Sequence, residues 1–254
     1  MGRHKSAVNS SIAASSVRQW YGSMVLGRLP VPPGTLTLFD AEGDADSRLV
    51  REALTELDVD LRIVPVPEGG QRHRGALVAL GGGSARVPLL HDAGADVVAQ
   101  GKDAILRHLF VTYRPDDPRV PLRYRFGGTS SKLATRVRKG RGLRATEGRP
   151  AAQDLELYSF ESSPFSRLVR ERLTELELAY LLHNLGKEQR ADIGPAGKTL
   201  TFGKPYAPVP GGKREKLLAR GGRIQVPYLI DPNTSTALYE SRAILEYLDR
   251  TYAR

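Results

Sequence analysis

The sequence predicts two consecutive α/β domains, each built in the order β-α-β-α-β-β-α. Three observations predict this. The chain repeats itself, each copy passes from alternating β-rich stretches to stretches with helical spacing, and each copy enters a late strand through a Val-Pro pair. A length of 254 residues suits two small domains.

The repeat is visible without gaps. TLTLFDAEGDADSRLVREALTEL, from Thr35, and DLELYSFESSPFSRLVRERLTEL, from Asp154, match at 13 of 23 positions at an offset of 119 and share SRLVRE and LTEL. ARVPLL (85–90) returns as IQVPYL (224–229), and DAILRHL (103–109) as RAILEYL (242–248), both at an offset of 139. The change of offset puts 20 extra residues between Gly186 and Pro210 of the second copy. The lead-ins repeat as well: SSIAASSVR (10–18) resembles SSKLATRVR (130–138). The N-terminus is acid-poor and Ser-rich like a transit peptide, but this match favours a duplicated unit over a cleaved address.

The elements of the second copy follow in order. Leu155–Ser159 alternates and is β-rich, hence a strand. Ser163–Leu176 sets Phe165, Leu168, Val169, Leu173 and Leu176 on one helical face. Ala179–His183 is the second strand, and Lys213–Arg220 a short helix stopped by Gly221–Gly222. Tyr228–Ile230 is a strand entered through Val226–Pro227, Asp231–Thr234 a turn, and Ser235–Tyr239 the last strand. Glu240–Tyr252 closes the copy as a helix with Ile244, Leu245 and Leu248 inward. The predicted boundaries are a basic lead-in at 1–34, a degenerate domain at 35–113, a basic linker at 114–153 and a second domain at 154–254.

Composition narrows the chemistry. There is no Cys, which removes disulfides, thiolate metal sites and a Cys nucleophile. The five His lack metal-ligand spacing, so no metal is expected. The net charge of +10 is localised: residues 1–39 carry +4 and residues 114–149 carry +8, leaving −2 for the rest. Both basic stretches are expected to be mobile or weakly helical. They make a protein partner or an anionic membrane surface a candidate contact for 1–34 and 114–153. Nucleic acid is not expected, because RVRKGRGLR (136–144) has no interleaved aromatics and no reading module. No apolar run is long enough to span a bilayer, and a soluble, cytoplasmic protein is expected.

Three motifs of the second copy carry a resemblance. ESSPFSRLVRE follows the first strand, QVPYLIDPN opens the strand hairpin, and LYESRAILEYL starts the last helix. In this order they resemble the thioredoxin-like fold, specifically the N-terminal, glutathione-binding domain of glutathione S-transferases. The whole chain is similar to proteins with two such domains in tandem, weakly over 35–113 and strongly over 154–254. The resemblance implies glutathione as ligand or cosubstrate, with Val226 and Pro227 holding its Cys portion and Glu240 and Ser241 its γ-Glu end. It also implies Ser163, with Ser166 second, as the hydroxyl beside the glutathione sulfur. Elementary chemistry agrees with those roles. A Pro at a strand start is a candidate cis bond that leaves the preceding backbone open to a peptide. Helix starts hold anions, and a hydroxyl at such a start can stabilise a thiolate.

Each position also has a plain alternative. Ser163 suits a helix N-cap with Pro at N1, and Glu240 a helix start. Tyr158 suits packing, and Arg167 and Arg170 suit a solvated face or ion pairs. The chain departs from the family pattern where Ser163 and Ser166 stand in place of Cys, so thiol–disulfide exchange is not expected. The last helix runs to the end of the 254 residues, so the all-helical domain that builds an electrophile pocket in full-size transferases is not expected. The first copy has Asp44 at the Ser163 position and Gln100–Gly101–Lys102 in place of Tyr239–Glu240–Ser241, so it is expected to be structural and to pack on the second. The expected function is glutathione S-transferase-like binding of a small thiol peptide, transferase activity remaining open; the alternative is a non-catalytic thioredoxin-fold interaction scaffold.

Overall fold

The computed structural model describes residues 2–26, 36–194 and 205–254. The first repeat comprises β1 (Leu36–Asp40), α2 (Ala45–Glu56), β2 (Leu61–Pro65), α3 (Arg74–Gly81), β3 (Leu89–Asp92), β4 (Val97–Gln100) and α4 (Lys102–Tyr113). The second comprises β5 (Leu155–Ser159), α7 (Pro164–Glu175), β6 (Tyr180–Asn184), α8 (Lys213–Gly221), β7 (Tyr228–Asp231), β8 (Thr236–Tyr239) and α9 (Ser241–Tyr252). Each lead-in is helical: α1 (Gly2–Val17) precedes the first repeat, and α5 (Leu122–Arg125) and α6 (Gly128–Val137) precede the second. Of the 20-residue insertion, 195–204 lie outside the described residues.

Both repeats contribute to one eight-stranded sheet of order β4-β3-β1-β2-β6-β5-β7-β8. Within each half the first two strands are parallel and the last two antiparallel, the arrangement of a thioredoxin-like unit. The halves join where β2 meets β6 antiparallel, in the register Leu61↔Leu182, Arg62↔Leu181 and Ile63↔Tyr180. Because β2 and β6 are equivalent strands, this pairing relates the repeats by a pseudo-twofold axis. It also joins the main apolar core, which runs from Leu38, Leu54 and Phe110 to Leu157, Leu173 and Leu248. Matching polar anchors close each half. Asp231 accepts from the Tyr247 and Tyr252 hydroxyls, at 2.6 and 2.5 Å, and Asp92 accepts from Tyr113 and meets His108.

The lead-ins depart most from the expectation of loose order. They are packed helices, and they cross over. The helix before the first repeat, α1, packs on α7 of the second, while α6 packs on α2 of the first. The two lead-in helices also pack on each other, antiparallel. Arg18, just past the end of α1, donates to Gly127 O at the start of α6 (3.3 Å), and Arg138, just past the end of α6, donates to Ala7 O near the start of α1 (2.7 Å). Small side chains allow this approach: Ser11, Ala14 and Ser15 are buried on α1, and Ser131 and Ala134 on α6. Beyond each helix the chain turns at a glycine with positive φ, Gly22 (+73°) or Gly142 (+72°). A Cβ at Gly22 would lie 3.0 Å from the Glu52 Cα, and one at Gly142 would lie 3.2 Å from the Gly43 N and 3.3 Å from the Glu171 Cα. Only glycine accepts both the backbone angle and the close backbone.

Candidate functional site

Ser163 is the N-cap of α7. Its Oγ accepts from the Ser166 N–H at 3.3 Å, and Pro164 occupies the first helical turn. Asp44 does the same for α2, accepting from the Ser47 N–H at 2.7 Å. The Ser-to-Asp difference between the repeats is thus an exchange between two good caps.

The crossed lead-in seals the start of α7. Ser15 Oγ on α1 donates to Ser162 O at 2.8 Å, Ser162 N donates to Gly22 O at 3.3 Å, and the Ser23 and Ser162 hydroxyls bond each other. Ser163 is left 3% exposed and Ser166 fully buried. The Ser166 hydroxyl has no hydrogen-bond partner among the described residues. In the first repeat Gly43 N donates to Gly142 O, and Thr135 Oγ1 on α6 donates to Gly43 O at 2.7 Å, the same closure by the other lead-in.

The remaining predicted residues lie at the sheet end of the second repeat. Both Val-Pro bonds, Val87–Pro88 and Val226–Pro227, are cis. Among the described residues, neither the N–H nor the C=O of Val226 has a hydrogen-bond partner. Glu240 is the N-cap of α9, with φ +69° and ψ +114°, and its exposed carboxylate accepts from the Gln225 side chain. The equivalent residue in the first repeat is Gly101, at φ +81°. Ser241 is buried, its hydroxyl 3.5 Å from His4 Nε2 of α1. The structure therefore brings Val226, Pro227, Glu240 and Ser241 to one end of the second domain, with α1 reaching from Ser241 to Ser162.

Tyr158 belongs to an aromatic row. It stacks on His183 (ring centroids 4.3 Å apart), lies beside Tyr228, and accepts from Arg220 at 2.9 Å, while Tyr228 stacks on Tyr239. Burial pushes its hydroxyl above the ordinary range, the reverse of what a proton donor near neutral pH needs.

A charged cluster that none of the expected roles includes lies at the pseudo-twofold axis. Arg170 holds Glu42 through two bonds of 2.9 and 3.0 Å, and Arg51 holds Asp40 at 2.6 Å and Glu161 at 3.0 Å. The Arg170–Glu42 and Arg51–Glu161 bonds tie each repeat to the other, while Arg51–Asp40 lies within the first. The flanking pairs Arg18–Glu52 and Arg138–Glu171, both 2.6 Å, fasten the lead-ins, while Arg48 and Arg167 donate to Ser131 and Ser11 of the crossed helices. Arg167 and Arg170 are thus buried ion-pair and hydrogen-bond partners, with no solvated face. Burial pushes the Asp40 carboxyl up, to about 6, although Arg51 opposes it. Burial also pushes Glu161 up, but Arg170, Arg51 and Arg167 together outweigh it and hold it low. The signal available in sequence was the retention of both Arg and the Glu of SRLVRE in both repeats, together with Glu42/Glu161.

Comparison with protein families completes the picture. The family model for the glutathione S-transferase N-terminal domain matches residues 38–117 and again 157–254. The chain belongs to the glutathione S-transferase N-terminal domain family. The two stretches coincide with the two repeats, so the family domain occurs twice. The comparisons match no curated protein and no solved structure. Family membership accounts for the strand order of each half and for the Val-Pro pair in both. The crossed lead-ins and the charged axis are described by this chain's own residues.

Proposed function

We propose that the chain is a non-catalytic scaffold of the glutathione S-transferase N-terminal fold, a fused pseudo-dimer without sulfur chemistry at Ser163. The burial of Ser163 and Ser166 beneath α1 and residues 22–23 carries this reading. A thiol would have to displace that covering before meeting either hydroxyl. The chain also has no Cys to act as a thiolate, so dithiol exchange has no nucleophile. The test is turnover of glutathione with a generic aryl halide. The scaffold reading expects a rate equal to the uncatalysed one, and equal for Ser163→Ala; turnover that Ser163→Ala abolishes would overturn it.

Glu240 supports a second reading, in which the second domain binds glutathione or a similar thiol peptide without transforming it. A glutamate stands at positive φ where the first repeat has Gly101. Such backbone costs on the order of 1–3 kcal/mol and persists where function needs the side chain. The open Val226 backbone would pair with the peptide, and Glu240 with Ser241 would meet its amine and carboxylate. Calorimetric titration with glutathione tests this. Binding weakened at least about tenfold by Glu240→Ala, a loss of about 1.4 kcal/mol, supports the reading. No binding at millimolar glutathione, or binding indifferent to Glu240→Ala, removes it.

A further inference from the structure

The crossed lead-ins and the segment before α6 carry exposed cations. The antiparallel pair α1 and α6 buries its small residues and turns the other side of each helix outward. Residues 1–39 and 118–146 contain no Asp or Glu. On α6 and just beyond it, Lys132, Arg136 and Lys139 are exposed, as is Arg125 at the end of α5. Among the described residues none of the four has a carboxylate within ion-pair distance, whereas Arg18, Arg123 and Arg138 nearby are all paired.

Large apolar side chains lie among these cations. Phe126 is 75% exposed, Leu122 64% and Trp20 42%, and Leu133 and Ile12 are exposed on α6 and α1. Trp20 is placed beside α5: the guanidiniums of Arg18 and Arg123 both sit over the ring of its neighbour Tyr21, at 5.5 and 5.6 Å. Leu122, Arg125 and Phe126 also line an open groove of about 980 Å³ against α4. A polar, cationic surface alone would suit any polyanion. Exposed Trp, Phe and Leu interleaved with unpaired Lys and Arg suit the headgroup–acyl boundary of an anionic bilayer, where the rings partition and the cations meet lipid phosphate or carboxylate. Among the described residues no helix is long and apolar enough to cross a membrane.

We propose that the face formed by α1, α6 and residues 120–126 docks on an anionic membrane surface through Arg125, Lys132, Arg136 and Lys139, with Trp20, Phe126 and Leu133 entering the interface. This is independent of whether the second domain binds glutathione.

Trp20 is the only tryptophan in the chain, so its emission reports on this face alone. The full chain would be titrated with vesicles of phosphatidylcholine, and of phosphatidylcholine carrying phosphatidylserine, by co-sedimentation and Trp20 fluorescence. The expected result is binding to the anionic vesicles only, with a blue shift of Trp20, both lost at molar salt where screening acts within about 3 Å. At about fivefold per basic residue, Lys132→Glu with Arg136→Glu and Lys139→Glu should lower partitioning at least about 100-fold, with unchanged circular dichroism. Phe126→Ser with Leu133→Ser, which leaves the charges intact, should weaken binding and steepen its salt dependence. Equal binding to neutral and anionic vesicles, or no binding to either, overturns the proposal. Binding to a DNA duplex or polyglutamate without binding to vesicles also overturns it, in favour of that polyanion.

Discussion

Substituting Glu42 by Gln would test whether the charged axis holds the two repeats together. Glu42 lies in the first repeat and accepts two bonds from Arg170 in the second, at 2.9 and 3.0 Å, with Arg51 3.2 Å away. Glu42, Arg51 and Arg170 are each 1% exposed. Glutamine preserves the volume but removes the charge and aims an amide at a guanidinium. The one carboxylate left to Arg170 would be Glu161, which it already shares with Arg51. Removing one partner of a buried ion pair costs about 3–5 kcal/mol, because the surviving charge stays buried. For a chain of this size each kcal/mol moves Tm by about 2–4 °C, so Glu42→Gln should lower it by about 10 °C. Urea unfolding followed by far-ultraviolet circular dichroism and by Trp20 fluorescence should give one coincident transition, shifted as a whole. Adding Arg170→Met should recover part of the loss, since it removes the guanidinium left without its carboxylate while Arg51 still holds Glu161. A cost below about 1 kcal/mol, or two transitions of which only one moves, would refute the interlocked axis.

Three further outcomes follow from particular residues. Burial raises the Asp40 carboxyl in the folded chain to about 6, above its unfolded value of about 3.9. Its contribution is therefore fully favourable below about pH 4 and is lost as pH rises through 6; Asp40→Ser, which copies Ser159 of the second repeat, should gain about 2–3 kcal/mol relative to the parent between pH 4 and 7, and parallel stability–pH profiles would contradict this. Gly142→Ala should cost more than about 2 kcal/mol by chemical denaturation, because the backbone angle is left-handed and the new Cβ meets the Gly43 and Glu171 backbone; a neutral effect would show that the turn can relax. Glu240→Gly should stabilise the fold by about 1 kcal/mol by relieving the positive φ, as Gly101 does in the first repeat, and a loss of stability would mean that Glu240 is unstrained.

The order of elements was legible because it rests on local signals. Leu155–Ser159 appears as the strand its alternation predicts, and α7 and α9 start within one residue of their expected positions. Gly222 ends α8 in a left-handed conformation, as the Gly221–Gly222 pair suggested. The repeat led to the expectation that the first copy packs on the second, though not that β2 and β6 would pair to make one sheet. The lead-ins were misjudged for a physical reason. Ser and Ala give α1 little amphipathic pattern, and its helix is stabilised by close packing on α6 and α7 rather than by an apolar stripe. The same gap hid the covering of Ser163, because a crossed helix leaves no mark on the segment it covers. Arg167 and Arg170 looked compatible with solvent because their carboxylate neighbours, Glu42 and Glu161, sit far apart in sequence and meet only at the pseudo-twofold axis.

The sealing of the α7 start by the chain's own lead-in can be tested directly, because the chain has no Cys. Ser163→Cys places one thiol at the covered cap, and Ser16→Cys places one at an exposed position of α1 as control. The measurement is the rate of reaction with an aromatic disulfide in native buffer and across a urea titration. A thiol at a reachable helix start would be activated by the helix dipole and react at least as fast as the control. With α1 in place, labelling at 163 should be slower than at 16 by at least about a hundredfold and should rise only as the fold opens. Equal rates in native buffer would show the helix start open to thiols and would contradict the scaffold reading.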